Sequence, residues 1–201
     1  MKQIQPTGDE RVLAGCVYCG AFPDTRDHVP SGVLLDKPFP DNLPVVPCCS
    51  SCNNSFSLDE EYCAALVDCV LVGSAQPTPR HREKVQRILE WQPALTAVLE
   101  AARSVDADGQ TLFEPDLERV ENVVLKLAKG HAAFELHTVD PEEPSISVAP
   151  LPLLDDASRE AFETPPEVCF FPEVGSRAMH RMFEHGVASP SWIVVQPDRY
   201  R

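Results

Sequence analysis

At 201 residues, with 43% hydrophobic side chains, nine Phe and two Trp, the chain can bury one large core or two small ones. No apolar run approaches the roughly 20 residues of a membrane span and the N-terminus lacks an apolar signal core, which argues against membrane insertion and predicts a cytoplasmic protein. A formal charge of −14 opposes unaided binding to a polyphosphate: residues 1–74 carry four basic and ten acidic side chains and residues 75–201 thirteen and twenty-one, so neither part shows a basic stripe.

Residues 1–11 are polar and without periodicity, as in a frayed terminus. Val12–Val17 predicts a short strand running into Cys16-Val17-Tyr18-Cys19, the first of two Cys-x-x-Cys knuckles. The second is Cys49-Ser50-Ser51-Cys52. Each knuckle turns two thiolates to one side, and two such pairs complete the tetrahedral shell that zinc prefers, closed by protein and therefore structural. Cys48 offers the same ligand with one more residue of spacing. In a reducing compartment eight Cys favour metal over disulfides, and Cys63, Cys69 and Cys169 read as small buried hydrophobes.

Between the knuckles lie Asp27-His28-Val29-Pro30 and Asn42-Leu43, and after them Asn53-Asn54. Pro38–Pro47 holds four prolines and predicts a loop that lays down a return strand, Leu43–Val46. Ser57-Leu58-Asp59-Glu60 resembles a capping box, followed by Tyr62, Leu66, Cys69 and Val70 at helical spacing. Asp59, Glu60 and Glu61 would then sit in a first helical turn and favour its dipole, with an extra metal ligand as the lesser alternative.

Gly73–Pro79 reads as a linker, dividing the chain into residues 1–74 and an accessory part, 75–201. Residues 80–104 predict helix, broken near Pro93, and Asp108-Gly109 a turn. Leu117, Val120, Val124, Leu127 and His131 recur at helical spacing, with Gly130 closing the helix. His131 and His137 have no Cys or acid at ligand spacing and read as structural. Pro141–Pro152 predicts a loop around Ile146-Ser147-Val148. Val168–Phe171 and Trp192–Val195 predict strands flanking a helix at Ser176–Glu184, on which His180, Arg181 and His185 read as a solvated face before a site.

The order Cys-x-x-Cys, Asp-His-Val-Pro, Asn-Leu, Cys-x-x-Cys-Asn resembles the zinc-stapled HNH endonucleases, whose core is a ββα metal finger. The resemblance covers about residues 12–66 and implies an α+β chain, a zinc-stapled finger followed by a small helix-rich accessory region. It implies His28 as general base, Asp27 and Asn53 as ligands of a catalytic Mg²⁺ or Mn²⁺, Asn42 as the residue that orders the loop, and Cys16, Cys19, Cys49 and Cys52 as the zinc ligands. Asn54 stands beside Asn53 as the alternative, and Ser31 replaces the second proline that many relatives carry.

The implied chemistry is coherent in itself. A neutral imidazole accepts a proton from water at neutral pH, and a carboxylate with an amide oxygen suits a hard dication. Neighbours on a strand point to opposite faces, so Asp27 and His28 converge on one phosphate only where the strand ends, which Pro30 would cause. The expected function is cleavage of nucleic acid, DNA before RNA, with a basic partner protein delivering the substrate to so acidic a chain. A non-catalytic zinc-stapled module that binds a basic protein is the alternative, and an acidic DNA mimic a weaker third.

Overall fold

The computed structural model describes residues 10–41, 43–139, 148–164, 173–185 and 192–201, with the backbone alone for residues 10, 11, 152 and 185. It is a mixed α/β chain with two small antiparallel two-stranded sheets, compatible with the expected α+β class. Asn42, Cys169, Val168–Phe171 and the Ile146-Ser147 pair lie outside the described residues.

The order opens with a helical turn, α1 (Glu10–Leu13), where a strand over Val12–Val17 is expected. The knuckle is the reason. Cys16 N–H donates to the Ala21 carbonyl (2.7 Å) and Gly20 N–H to the Cys16 carbonyl (2.8 Å), so the backbone groups close a turn on themselves. Gly20 supplies the left-handed residue, at φ 76°. β1 (Thr25–His28) then pairs antiparallel with β2 (Val45–Cys48), with Thr25 opposite Cys48, Asp27 opposite Val46 and His28 opposite Val45. The return strand therefore sits two residues later than Leu43–Val46.

α2 (Ser50–Val72) starts seven residues before the Ser57 box. Cys49 is its N-cap, in extended conformation, and its sulfur accepts from Cys52 N–H at 3.4 Å. The second knuckle and the helix start are thus one structure, and Ser57 instead donates to the Asn54 carbonyl inside the helix (2.8 Å). Gly73, at φ 75°, ends α2 as a left-handed cap, its N–H on the Cys69 carbonyl.

The linker is tied back by Asp68 on α2. This carboxylate takes His81 Nδ1 (2.8 Å), the Arg82 amide (3.1 Å) and Arg82 Nε (3.3 Å) at the entry to α3. α3 (Glu83–Trp91) and α4 (Pro93–Ala101) meet at the expected break, with Pro93 opening α4. The helix stops before residue 103, where β3 (Arg103–Val105) turns through Asp108-Gly109 to pair with β4 (Thr111–Phe113). The Asp106 carboxylate organises that turn, accepting from the amides of Asp108 and Gln110.

α5 (Leu117–His131) is the expected amphipathic helix, N-capped by Asp116. It does not close at Gly130. It runs on as a π-helical segment, Ala132–Leu136, and ends at His137 in the left-handed region. Gly130 is needed for close approach: a Cβ there would meet Val29 Cγ2 at 2.7 Å. Beyond lie a 3-10 turn (Leu151–Leu153), α6 (Asp156–Glu163) and α7 (Arg177–His185). Trp192–Val195 forms no strand; the chain end closes through a lone bridge between Gln196 and Tyr200.

Two apolar clusters hold these elements. One surrounds α2, where Tyr62, Ala65, Leu66 and Cys69 pack with Val85, Leu89, Leu95, Leu99 and Val123. The other joins the first knuckle to the sheet and to the end of α5, through Val12, Tyr18, Val29, Val46, Ala133 and Phe134. Leu127 packs against both, and both draw on residues from either side of the linker. No helix among the described residues is long and apolar enough to cross a membrane.

Candidate functional site

The two knuckles meet. Cys16, Cys19, Cys49 and Cys52 bring their sulfurs within 4.8 Å of one another. Around a zinc ion with Zn–S near 2.3 Å, tetrahedral geometry sets sulfurs about 3.8 Å apart. Cys19 Sγ and Cys49 Sγ stand at 3.8 Å, far beyond the length of about 2.05 Å of a disulfide. The donor set therefore fits one zinc ion. Cys48 is outside the group; its thiol donates to the Cys49 carbonyl (3.2 Å), and burial holds it well above the ordinary thiol range. Burial also pushes Cys16 up, but amide donors from Cys49, Tyr18 and Cys19 outweigh it and bring this thiol down to about 7. Cys52 is held high by burial and then by hydrogen bonds with Cys19 and Cys49, a crowding of thiols that a dication relieves.

β1 carries the next pair of candidates. Asp27 is buried on the face toward α2 and α5. Tyr18 Oη donates to its Oδ2 at 2.7 Å, and Lys126 Nζ lies 2.8 Å from the same oxygen. Burial, then the Asp27 charge, hold the Tyr18 phenol far above its ordinary range, so it remains a donor. Lys126 also pairs with Glu60 of α2, and its ammonium stands 5.6 Å from the centre of the Phe56 ring. Its side chain is only 1% exposed. Burial above all, and then the charge of Asp27, raise Glu60 above the usual carboxylate range, against the pull of Lys126. Two carboxylates and one ammonium thus share a dry site, and the place beside Asp27 that the resemblance gives to a dication is taken by Lys126.

His28 ends β1, half-buried, on the opposite side of the strand from Asp27. Its Nε2 is buried and has no hydrogen-bond partner among the described residues. Buried nitrogens are nearly always paired, so this one is an acceptor or donor left open among the described residues. Asn53 stands in the first turn of α2, three residues before Phe56 and seven before Glu60, hence on the same helix stripe. Asn54 is exposed and off that stripe.

Asp59, Glu60 and Glu61 prove to lie in the third and fourth turns of α2, away from the N-terminal dipole. Asp59 pairs with Arg119 (2.7 Å) and Asn122 (2.7 Å), Glu61 accepts from Gln92, and only Glu60 enters the site. Cys63 and Cys69 are buried, their thiols pushed up to about 12 by burial. His131 Nε2 bonds Tyr200 Oη at 3.0 Å, Arg181 pairs with Glu135, and His180 is exposed.

Lys126 is the member of the buried charge cluster that sequence reasoning missed. Its signal was a lysine on the buried stripe of α5, between Val123 and Gly130. A second gathering is also invisible in one dimension. Lys37 of the loop after β1 joins Arg82, the N-cap of α3, and Lys84 and Arg87 of that helix around an open groove of about 710 Å³, beside Trp91, which is 83% exposed. Asp36, Glu61 and Glu83 line it too, so its positive balance is slight.

No protein-family model, curated protein or solved structure matches the chain.

Proposed function

We propose that the chain is an HNH-type endonuclease that hydrolyses phosphodiester bonds of nucleic acid, DNA before RNA, with His28 as general base. One observation carries this reading: an imidazole nitrogen at the end of β1, buried and without a partner among the described residues, next in sequence to the buried Asp27 and between two knuckles that fit zinc. A hairpin followed by a helix, with the chemistry at the strand end, is the arrangement the resemblance calls for. Zinc at Cys16, Cys19, Cys49 and Cys52 would pin the hairpin to the start of α2 and take no part in the reaction. His28 Nε2 would take the proton of a water in line with the phosphorus. Asn53 would stand on the α2 stripe of Phe56 and Glu60, on the Asp27 side of β1, and Asn42 would order the loop between the strands. A basic protein partner would deliver the substrate, offsetting the charge of −14.

The second reading, a zinc-stapled module that binds a basic protein without catalysis, draws support from the closed Asp27–Lys126–Glu60 site. Plasmid nicking and cleavage of labelled RNA, comparing wild type with His28→Ala, separates the two. Loss of a general base lowers the rate by about two to four orders of magnitude. Equal cleavage by His28→Ala would place the chemistry elsewhere, and no cleavage by wild type with any divalent ion would leave the interaction module.

A further inference from the structure

We propose that the Asp27–Glu60 pair is a cation site whose resident cation is the chain's own Lys126, so that a divalent ion binds there only when that ammonium is removed. Calling this the place of a catalytic cation rests on the nuclease reading; the exchange of ammonium for metal does not.

The reasons are in the geometry. Two carboxylates from different elements, β1 and α2, converge on one point, and Lys126 Nζ fills it from a third, α5. The three side chains are 7%, 8% and 1% exposed. Carboxylates at such depth are stable only when paired, and a lone pair of them without a cation would repel through a low-dielectric interior. Hard oxygen donors in this number suit Mg²⁺ or Mn²⁺ as well as an ammonium. A dication would cancel both charges, whereas Lys126 cancels one, which matches the raised Glu60. Tyr18 then supplies a hydrogen bond to the remaining charge on Asp27. Wild-type protein should therefore ignore divalent ions at this point, because entry requires breaking two buried ion pairs.

Lys126→Met keeps an unbranched side chain one heavy atom shorter and removes the charge. Thermal unfolding with Mn²⁺ or Mg²⁺ titrated into zinc-loaded protein should show no saturable shift for wild type. The variant should melt lower without metal and rise by about 5–10 °C at a hundredfold excess over its dissociation constant. Adding Asp27→Asn to Lys126→Met should abolish that rise. A saturable shift in wild type that Asp27→Asn removes, or no shift in a folded Lys126→Met, would overturn the proposal. Amine labelling of wild type, read by mass spectrometry, decides the matter even where Lys126→Met fails to fold. Lys126 should stay protected with and without Mg²⁺, and labelling that appears on adding Mg²⁺ would mean the dication displaces it. None of these readouts depends on cleavage, so an inactive wild type would refute the nuclease reading alone.

Discussion

Gly130→Ala is the sharpest test of how α5 seats against the sheet. The new methyl would stand 2.7 and 3.0 Å from the two Val29 methyls and 3.3 Å from Tyr18 Oη. Val29 is fully buried beside His28, and Tyr18 Oη is held by Asp27 at 2.7 Å, so neither can swing clear. Overpacking of this kind costs about 1–3 kcal/mol. Against it, alanine is favoured over glycine in a helix by about 1 kcal/mol. The net is a loss of about 1 kcal/mol, or about 2–4 °C in Tm for a chain of this size. Urea unfolding of wild type, Gly130→Ala, Val29→Ala and the double variant makes the cycle. With Val29 shortened, the two closest contacts vanish and helix propensity should prevail, so Gly130→Ala becomes neutral or stabilising. An equal cost in both backgrounds, or a stabilised single variant, would show that α5 is not packed on β1 in this way.

Other outcomes follow from the site and the surface. Purified protein should carry about one zinc per chain by metal analysis, lost in Cys16→Ser or Cys52→Ser together with the fold around the knuckles, and kept in Cys48→Ser. Burial lowers the pKa of His131 from its ordinary 6.5, with Glu135 opposing, so its stabilising contribution is present above about pH 6.5 and is lost as the pH falls toward the folded value. Urea midpoints of wild type should therefore drop more steeply than those of His131→Gln between about pH 7.5 and 5.5; parallel curves would contradict it. Duplex DNA should bind the isolated protein weakly, with a log–log salt slope no steeper than about −3, as for some three phosphate contacts. A slope several times steeper in an anisotropy series would reveal a larger basic surface than the groove at Lys37, Lys84 and Arg87.

Local chemistry was legible in the sequence wherever a few adjacent residues decide the outcome. The Cys-x-x-Cys spacing already held the four-sulfur group, and Gly73 and Pro93 marked true helix ends. Capping competition was not legible. Two starts were available for α2, and Cys49 prevailed over Ser57 because its sulfur is fixed by the knuckle as well as by the helix amide. Gly130 carried the residue type of a helix stop but serves a contact with Val29, across about a hundred residues of chain. Lys126 belongs to the same class. A lysine in a helix reads as solvated until two carboxylates from β1 and α2 are known to meet beneath it. The β3–β4 hairpin escaped because each strand is three residues long, too short to show alternation.

The two apolar clusters also set where the chain can be cut. A fragment ending at residue 74 would keep all four knuckle sulfurs yet lose Lys126, leaving Asp27 and Glu60 as like charges with nothing between them. It would also bare Tyr18 and Val46, which Ala133 and Phe134 cover in the intact chain. Such a piece is no portable cassette; it would need the α5 segment returned as a separate peptide, and the pair would behave as a split protein. An inserted tag belongs elsewhere, at the exposed Asp108-Gly109 tip, where a Gly109 side chain would meet nothing within 4 Å and neither cluster is crossed.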